Sequence, residues 1–339
     1  MEIAVDAGFR CNSGVNSAQV FFGDGASFSI IDGGWDATSA PLSDSIGEQC
    51  ALVSKKFTHA CSANGDYTVY FSDCCRVSTL VNNPNLNGSY RVDTVVKIGT
   101  DLNSVKAQIP AIIGLTKNAM NNIDLEPSIY DPDGDAFTCV KATGHAFYAT
   151  TAFATVPGPG TSLSVTSDCK LQWDLSGYNP TTPYKWAVTI AITNAKGVRQ
   201  ILDFVVELGS GATQVTCPEL GHNHGFVAMV GDHVHAEFTI DVSGAINPTV
   251  GGITTQTVGL PASAEIHSPL DNGGSSGDSL PGIWAFHWTV PVGTAVGTYV
   301  TNIQWLYPGA GTCLQTIQVI VPNPPRTGGP NPGSFGDRK

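Results

Sequence analysis

The chain has 339 residues, of which 13% are charged, and a formal net charge of −12. Its 38 glycines and 21 prolines leave few stretches for long amphipathic helices and favour short strands joined by turns, in two or three domains. The acidity and the lack of any Lys/Arg cluster exclude nucleic acid as a partner, because phosphates select basic patches. No apolar run approaches the ~20 residues needed to cross a bilayer, which excludes direct membrane insertion.

The opening "MEIAVDAGFR" has neither a basic start nor an apolar h-region, so it does not read as a signal peptide. Nine cysteines are nevertheless more than a cytosolic protein of this composition would carry. The expectation is a mature or excised part of a secreted or cell-surface protein.

Period-two alternation marks the strands in chain order. In "SYRVDTVVKIG", Tyr90, Val92, Thr94, Val96 and Ile98 share one face. Trp186, Val188, Ile190 and Ile192 do so in "KWAVTIAITN", and Leu202, Phe204, Val206 and Leu208 in "ILDFVVEL". In the last third, Val234, Ala236, Phe238, Ile240 and Val242 align, followed by Trp284, Phe286, Trp288 and Val290, and then by Cys313, Ile317, Val319 and Val321. A strand, a turn and a final apolar strand recur near 66–99, 185–208 and 298–321, each reading as the closing hairpin of a β-sandwich of about 100 residues. The expected fold class is all-β: three tandem immunoglobulin-like β-sandwich domains at 1–102, 103–210 and 211–322. A Pro/Gly-rich tail, extended or disordered, follows over 323–339.

The cysteines divide in the same way. Cys217 and Cys313 bracket the last domain, and Cys139 and Cys169 lie in the middle one. Cys11, Cys50, Cys61, Cys74 and Cys75 lie in the first, where they form up to two bridges of open pairing with one thiol left over. Buried reduced thiols are the alternative. No C-x-x-C zinc spacing is present.

The middle domain resembles cadherin-like or bacterial immunoglobulin-like repeats of surface proteins, through "YDPDGDAFTC" (130–139), "CKLQWDLSG" (169–177), "KWAVTIAITNAKG" (185–197) and "DFVVELG" (203–209). Asn194 stands where that family usually has Asp. The first domain resembles polycystic-kidney-disease-type repeats through "FFGDGAS" (21–27) and "FTHACSANGDYTVYF" (57–71), in which the resemblance implies that His59 packs in a turn. The last domain is generically immunoglobulin-like. These resemblances imply fold more than activity.

Two clusters are candidate metal sites. Asp131, Asp133 and Asp135 in "DPDGD" offer carboxylate oxygens of the kind calcium takes, with Asp124 and Glu126 as further acidic groups at a junction. The loop is not an EF-hand, since Gly134 precedes Asp135 and Ala142 occupies the position of the twelfth-position Glu. A polar turn fixed by Pro132 is the alternative. In "GHNHGFVAMVGDHVHAE", His233, His235 and Glu237 share the face opposite Phe238 and Ile240. If that segment pairs as a hairpin with the one carrying His222 and His224, four ligands for zinc or copper converge; a solvated strand face is the alternative. His145, His267 and His287 stand isolated. "GGSSG" (273–277) has loop flanks, so Ser275 is not expected to be a nucleophile. Asn87 in "NGS" is a glycosylation acceptor, or part of a turn.

The function expected from these features is non-enzymatic. The chain reads as an extracellular structural or adhesive protein, a subunit of a surface filament or stalk, with other protein chains or copies of itself as partners. Calcium is the one cofactor expected. The alternative is a carbohydrate- or ligand-binding module, with Trp35 and Tyr178 as stacking surfaces; a metal-dependent enzyme is the least favoured.

Overall fold

The computed structural model describes residues 1–10, 18–30, 37–38, 42–43, 49–74, 80–81, 89–99, 103–142, 162–178, 184–208, 214–216, 224–307 and 312–323. Their regular structure is β, interrupted by short 3-10 turns at Glu126–Ser128, Val250–Gly252 and Pro269–Asn272. Among the described residues no helix is long and apolar enough to cross a membrane.

The first third carries β1 (Glu2–Arg10), β2 (Gln19–Phe21), β3 (Ser27–Ser29), β4 (Ala37–Thr38), β5 (Leu42–Ser43), β6 (Gln49–Thr58), β7 (Gly65–Cys74) and β8 (Ser89–Ile98). The middle third carries β9 (Lys106–Ala107), β10 (Ile112–Leu115), β11 (Met120–Asp124), β12 (Ile129–Tyr130), β13 (Phe137–Lys141), β14 (Ser162–Val165), β15 (Lys170–Asp174), β16 (Tyr184–Asn194) and β17 (Arg199–Leu208). The last third carries β18 (Gln214–Thr216), β19 (His224–Val227), β20 (His233–Ser243), β21 (Thr254–Val258), β22 (Glu265–His267), β23 (Gly282–Thr289), β24 (Gly297–Leu306) and β25 (Thr312–Val321). The three recurring hairpins are β7–β8, β16–β17 and β24–β25, all antiparallel.

The last third packs one four-stranded sheet, β18-β20-β23-β22, on another, β19-β25-β24-β21. Alternation decides what lies between them. Val234, Ala236, Phe238, Ile240 and Val242 of β20 and Trp284, Phe286 and Trp288 of β23 point inward, against Ile303 and Trp305 of β24 and Ile317, Val319 and Val321 of β25. The Phe238 and Trp305 rings meet at 5.1 Å between centroids. Each such large apolar side chain contributes about 1.5–3 kcal/mol by leaving water.

In the middle third, β13-β16-β17, with β10 parallel to β17, covers β11-β15-β14. Trp173 and Trp186 pack edge to face at 5.2 Å between centroids, in a core with Leu171, Val188, Ile190, Phe204 and Val206. Cys139 of β13 is bridged to Cys169 in the turn before β15, so the disulfide ties one sheet to the other. The first third has a smaller core of Ala18, Val20, Phe22, Ile30, Phe57, Val69 and Phe71.

Each third has a main apolar cluster of its own, but the sheets are not separate. β8 adds to the edge of β17, placing Val95 opposite Arg199, and this makes one sheet of the first and middle thirds. Thr94 Oγ1 donates to the Arg199 carbonyl. Asp93 is buried between Arg91 Nη2 at 3.5 Å and Arg199 Nη2 at 3.3 Å, and Val92 packs on Ala142, Ala191 and Ile201. The expected apolar face of β8 is therefore only half-buried at Val92, Thr94 and Val96, while acidic Asp93 on the other face is enclosed. An open strand edge with unpaired N–H and C=O groups takes a neighbouring strand when one is within reach.

The middle and last thirds meet through buried polar groups. Ser128 Oγ and Thr316 Oγ1 both donate to Asn302 Oδ1, at 2.8 and 2.7 Å, and Asn302 Nδ2 donates to the Gln108 carbonyl. The Gly114 N–H donates to Thr312 Oγ1 at 2.8 Å, and Leu314 lies against the middle core.

Candidate functional site

The outward face of the β20-β23-β22 sheet gathers imidazoles. On β20, the inward set Val234, Ala236 and Phe238 forces His233, His235 and Glu237 outward. On β23 the inward tryptophans turn His287 and Thr289 outward. Register then brings the strands' outward residues together. His235 pairs with His287, which pairs with Glu265 of β22, so three side chains stand in one row across the sheet. In the rows on either side, His233 is opposite Thr289, and Glu237 and His267 flank Ala285, whose small side chain leaves space above it.

The contacts are close. His235 Nδ1 lies 3.3 Å from His287 Nδ1, which is also 3.3 Å from His233 Nε2. The second nitrogen of His233 is 3.1 Å from Thr289 Oγ1, and that of His235 is 3.3 Å from Glu237 Oε1. The His267 ring is 4.7 Å from that of His287, and its Nε2 is 2.9 Å from Glu265 Oε2. Partial burial, followed by the nearby His235, His267 and His233, holds His287 below the ordinary imidazole range and so favours its neutral form.

This group differs from the set expected from sequence. His233, His235 and Glu237 come together as alternation requires. The hairpin that would add His222 and His224 does not form. His224 begins β19, which pairs in parallel with β25 in the opposite sheet and packs Phe226 on the core; His222 lies outside the described residues. His267 and His287, isolated in sequence, are instead members of the group. The signal present was the outward phase of each residue on its own strand; the missing information was which strands are neighbours.

The "DPDGD" turn follows β12. Oxygens of Asp131, Asp133 and Asp135 lie within 4.8 Å of one another, but protein donors occupy most of them. Asp131 accepts from the Asp133 N–H at 2.8 Å and from Asn194 Nδ2 at 2.9 Å. Asp133 accepts from the Asn103 N–H at 2.6 Å and from Asn103 Nδ2 at 2.8 Å, and these bonds hold its carboxyl below the ordinary range. Lys196 Nζ stands 3.8 Å from Asp135. Asn194 offers a donor where Asp would offer an acceptor, so both oxygens of Asp131 and both of Asp133 have protein donors, whereas Asp135 Oδ2 is buried without a hydrogen-bond partner. Asp124 lies at the end of β11, opposite Lys170, and its Oδ1 accepts from the Glu126 N–H.

A third group lies in the first third. His59 stacks on Phe22 at 4.3 Å between centroids, as the turn-packing expectation required, and its Nε2 is 2.6 Å from Asp24 Oδ2. The free thiol of Cys61 is within 4.8 Å of both. Cys313 is disulfide-bonded; its expected partner Cys217, together with Cys11, Cys75, Asn87, Trp35 and His145, lies outside the described residues. Cys50 sits in β6 and Cys74 ends β7. Ser275 lies in a loop closed by its own N–H donating to Asp278.

Residues 4–99 match the family model described as the N-terminal region of integrin beta-like proteins A–E. Integrin beta-like protein A of Dictyostelium discoideum is 27% identical over 167 residues, a match that spans 46% of this chain and 8% of that protein. Among solved structures, the human desmocollin-1 ectodomain is 11% identical, with 94% of this chain and 54% of that one covered, at a TM-score of 0.22. The zebrafish RET cadherin-like domains 1 to 4 are 10% identical, with 90% and 68% covered, at 0.21.

Proposed function

We propose that the chain is a secreted or cell-surface protein of adhesion type, acting through contacts between its β-sandwich domains and other protein chains, copies of itself included. The domains of this reading are 1–102, 103–210 and 211–322, with 323–339 as a linker-like tail, and the finer likenesses are a polycystic-kidney-disease-type first domain and a cadherin-like middle one. Its role is to bind and to hold, without turnover. The observation that carries the reading is the match of residues 4–99 to the integrin beta-like N-terminal model. The lateral joint at β8–β17 and the polar joint around Asn302 support it as well, because sheets joined in both ways resist bending where a load is transmitted.

The test is attachment. Cells expressing the chain, and cells lacking it, are allowed to settle on a surface coated with the purified chain and on a bare one, while surface proteolysis reports where the chain resides. Coating-dependent attachment, inhibited by soluble chain, together with protease-sensitive exposure on intact cells is expected. A chain that stays protected inside intact cells, or a coating that holds cells no better than albumin does, would remove the reading.

A further inference from the structure

We propose that His233, His235 and His287 form a three-imidazole binding site for a divalent transition-metal ion of the zinc or copper class, on the outer face of the β20-β23-β22 sheet. This inference is independent of the adhesive reading.

The spacing carries it first. One ring nitrogen from each of the three histidines lies within 4.8 Å of the others, and His287 Nδ1 is 3.3 Å from both His235 Nδ1 and His233 Nε2. Ligands about 2.0–2.1 Å from a tetrahedral zinc ion stand about 3.3–3.4 Å apart. A single proton on His287 Nδ1 does not satisfy this arrangement. His287 Nδ1 faces two other nitrogens, and one N–H can lie along only one of those lines. A cation placed between the three lone pairs serves all of them.

The outer partners carry it second. An oxygen on the other nitrogen of a metal-bound imidazole fixes both the tautomer and the ring plane, and two of the three rings have one. His233 has Thr289 Oγ1 at 3.1 Å from Nδ1, leaving Nε2 for the metal. His235 has Glu237 Oε1 at 3.3 Å from Nε2, leaving Nδ1. In both rings the nitrogen with an oxygen partner is the one turned away from the group. Glu237 is therefore a positioning residue and not a ligand.

The backbone supplies the third argument. Two ligands come from neighbouring positions on one face of β20, and the third stands directly across on β23, so antiparallel ladders on both sides of β23 fix the site. Such a site is rigid before the ion arrives. With the His235 side chain 42% exposed, the fourth position opens to solvent. Water, or a donor group of a protein docked on this face, completes the coordination.

The test uses the full chain, stripped with a chelator and titrated with zinc chloride by calorimetry. A parallel titration with cobalt chloride uses the visible absorption of four-coordinate Co2+ to report the ligand geometry. One equivalent is expected to bind in each titration. His235→Ala and His287→Ala are each expected to weaken binding by at least about 100-fold, and Glu237→Gln by about 10-fold, as for outer partners of other metal sites. His224→Ala should leave it unchanged, because β19 belongs to the opposite sheet. Metal-free thermal unfolding is recorded for every variant, and the solvent-exposed His235 position serves as the arbiter if His287→Ala does not fold. Absence of stoichiometric binding by the parent chain, full binding by His235→Ala, or loss of binding in the His224 variant would overturn the assignment.

Discussion

At the scale of single residues, Asn194 explains how the acidic turn holds together. Its side chain is buried, donating to Asp131 and accepting from the Lys196 and Val198 N–H groups. Asn194→Asp would turn the donor into a carboxylate facing another carboxylate. In the presence of a chelator the variant is expected to lose about 1–3 kcal/mol, read from the urea unfolding midpoint, because Asp131 loses its partner and a buried charge is added. Calcium should restore part of that loss in the variant and have a smaller effect on the parent. The neighbouring Asp133 allows a test by pH. Its carboxyl is held below the ordinary aspartate range by both donors of Asn103, so its contribution is present above that range and is lost as pH falls through the lowered value. Asn103→Ala should lower the melting temperature less at pH 3 than at pH 7. An equal drop at both values would show that the Asp133 carboxylate is not what Asn103 stabilises.

Among the elements, the hairpins were the most legible in sequence. Strands β16, β17, β20, β23 and β25 bury the residues that alternation assigns to them, because both faces of a pleated strand are fixed once one face is apolar. β8 is the exception. Its Val92, Thr94 and Val96 are only partly covered, and Asp93 on the other side is enclosed by two arginines, since β8 finishes one core while extending the sheet of the next. The Cys139–Cys169 bridge acts at the same scale. It closes a segment with a sequence separation of 30 across two sheets, so replacing both cysteines by alanine is expected to cost about 2–4 kcal/mol, chiefly by loosening the unfolded chain. Chemical denaturation of the double variant against the oxidised parent measures this, and a change below about 0.5 kcal/mol would mean that the sheets hold without the staple.

For the molecule as a whole, the joint between the middle and last thirds rests on a close backbone approach at Gly114. A Cβ on Gly114 would lie 2.8 Å from the Thr312 backbone nitrogen, which no real contact tolerates. Gly114→Val should therefore separate β10 from β25, breaking the bond from the Gly114 N–H to Thr312 and exposing the Ser128–Asn302–Thr316 cluster. Small-angle scattering is expected to show a larger radius of gyration, with the β-type circular dichroism unchanged. An unaltered scattering profile would mean that this contact does not set the arrangement of the middle and last thirds.

The sequence by itself determined the fold class, the closing hairpins, the Cys139–Cys169 candidates and the outward phase of His233, His235 and Glu237. These are local properties, in which a two-residue period, a turn or a short spacing contains the answer. Only the tertiary structure decided that His287 joins His235, that His224 belongs to the opposite sheet, and that β8 crosses over to pair with β17. Each of these depends on which strand lies beside which, and strand neighbours are chosen by the burial of distant apolar faces, information that no single stretch of chain contains.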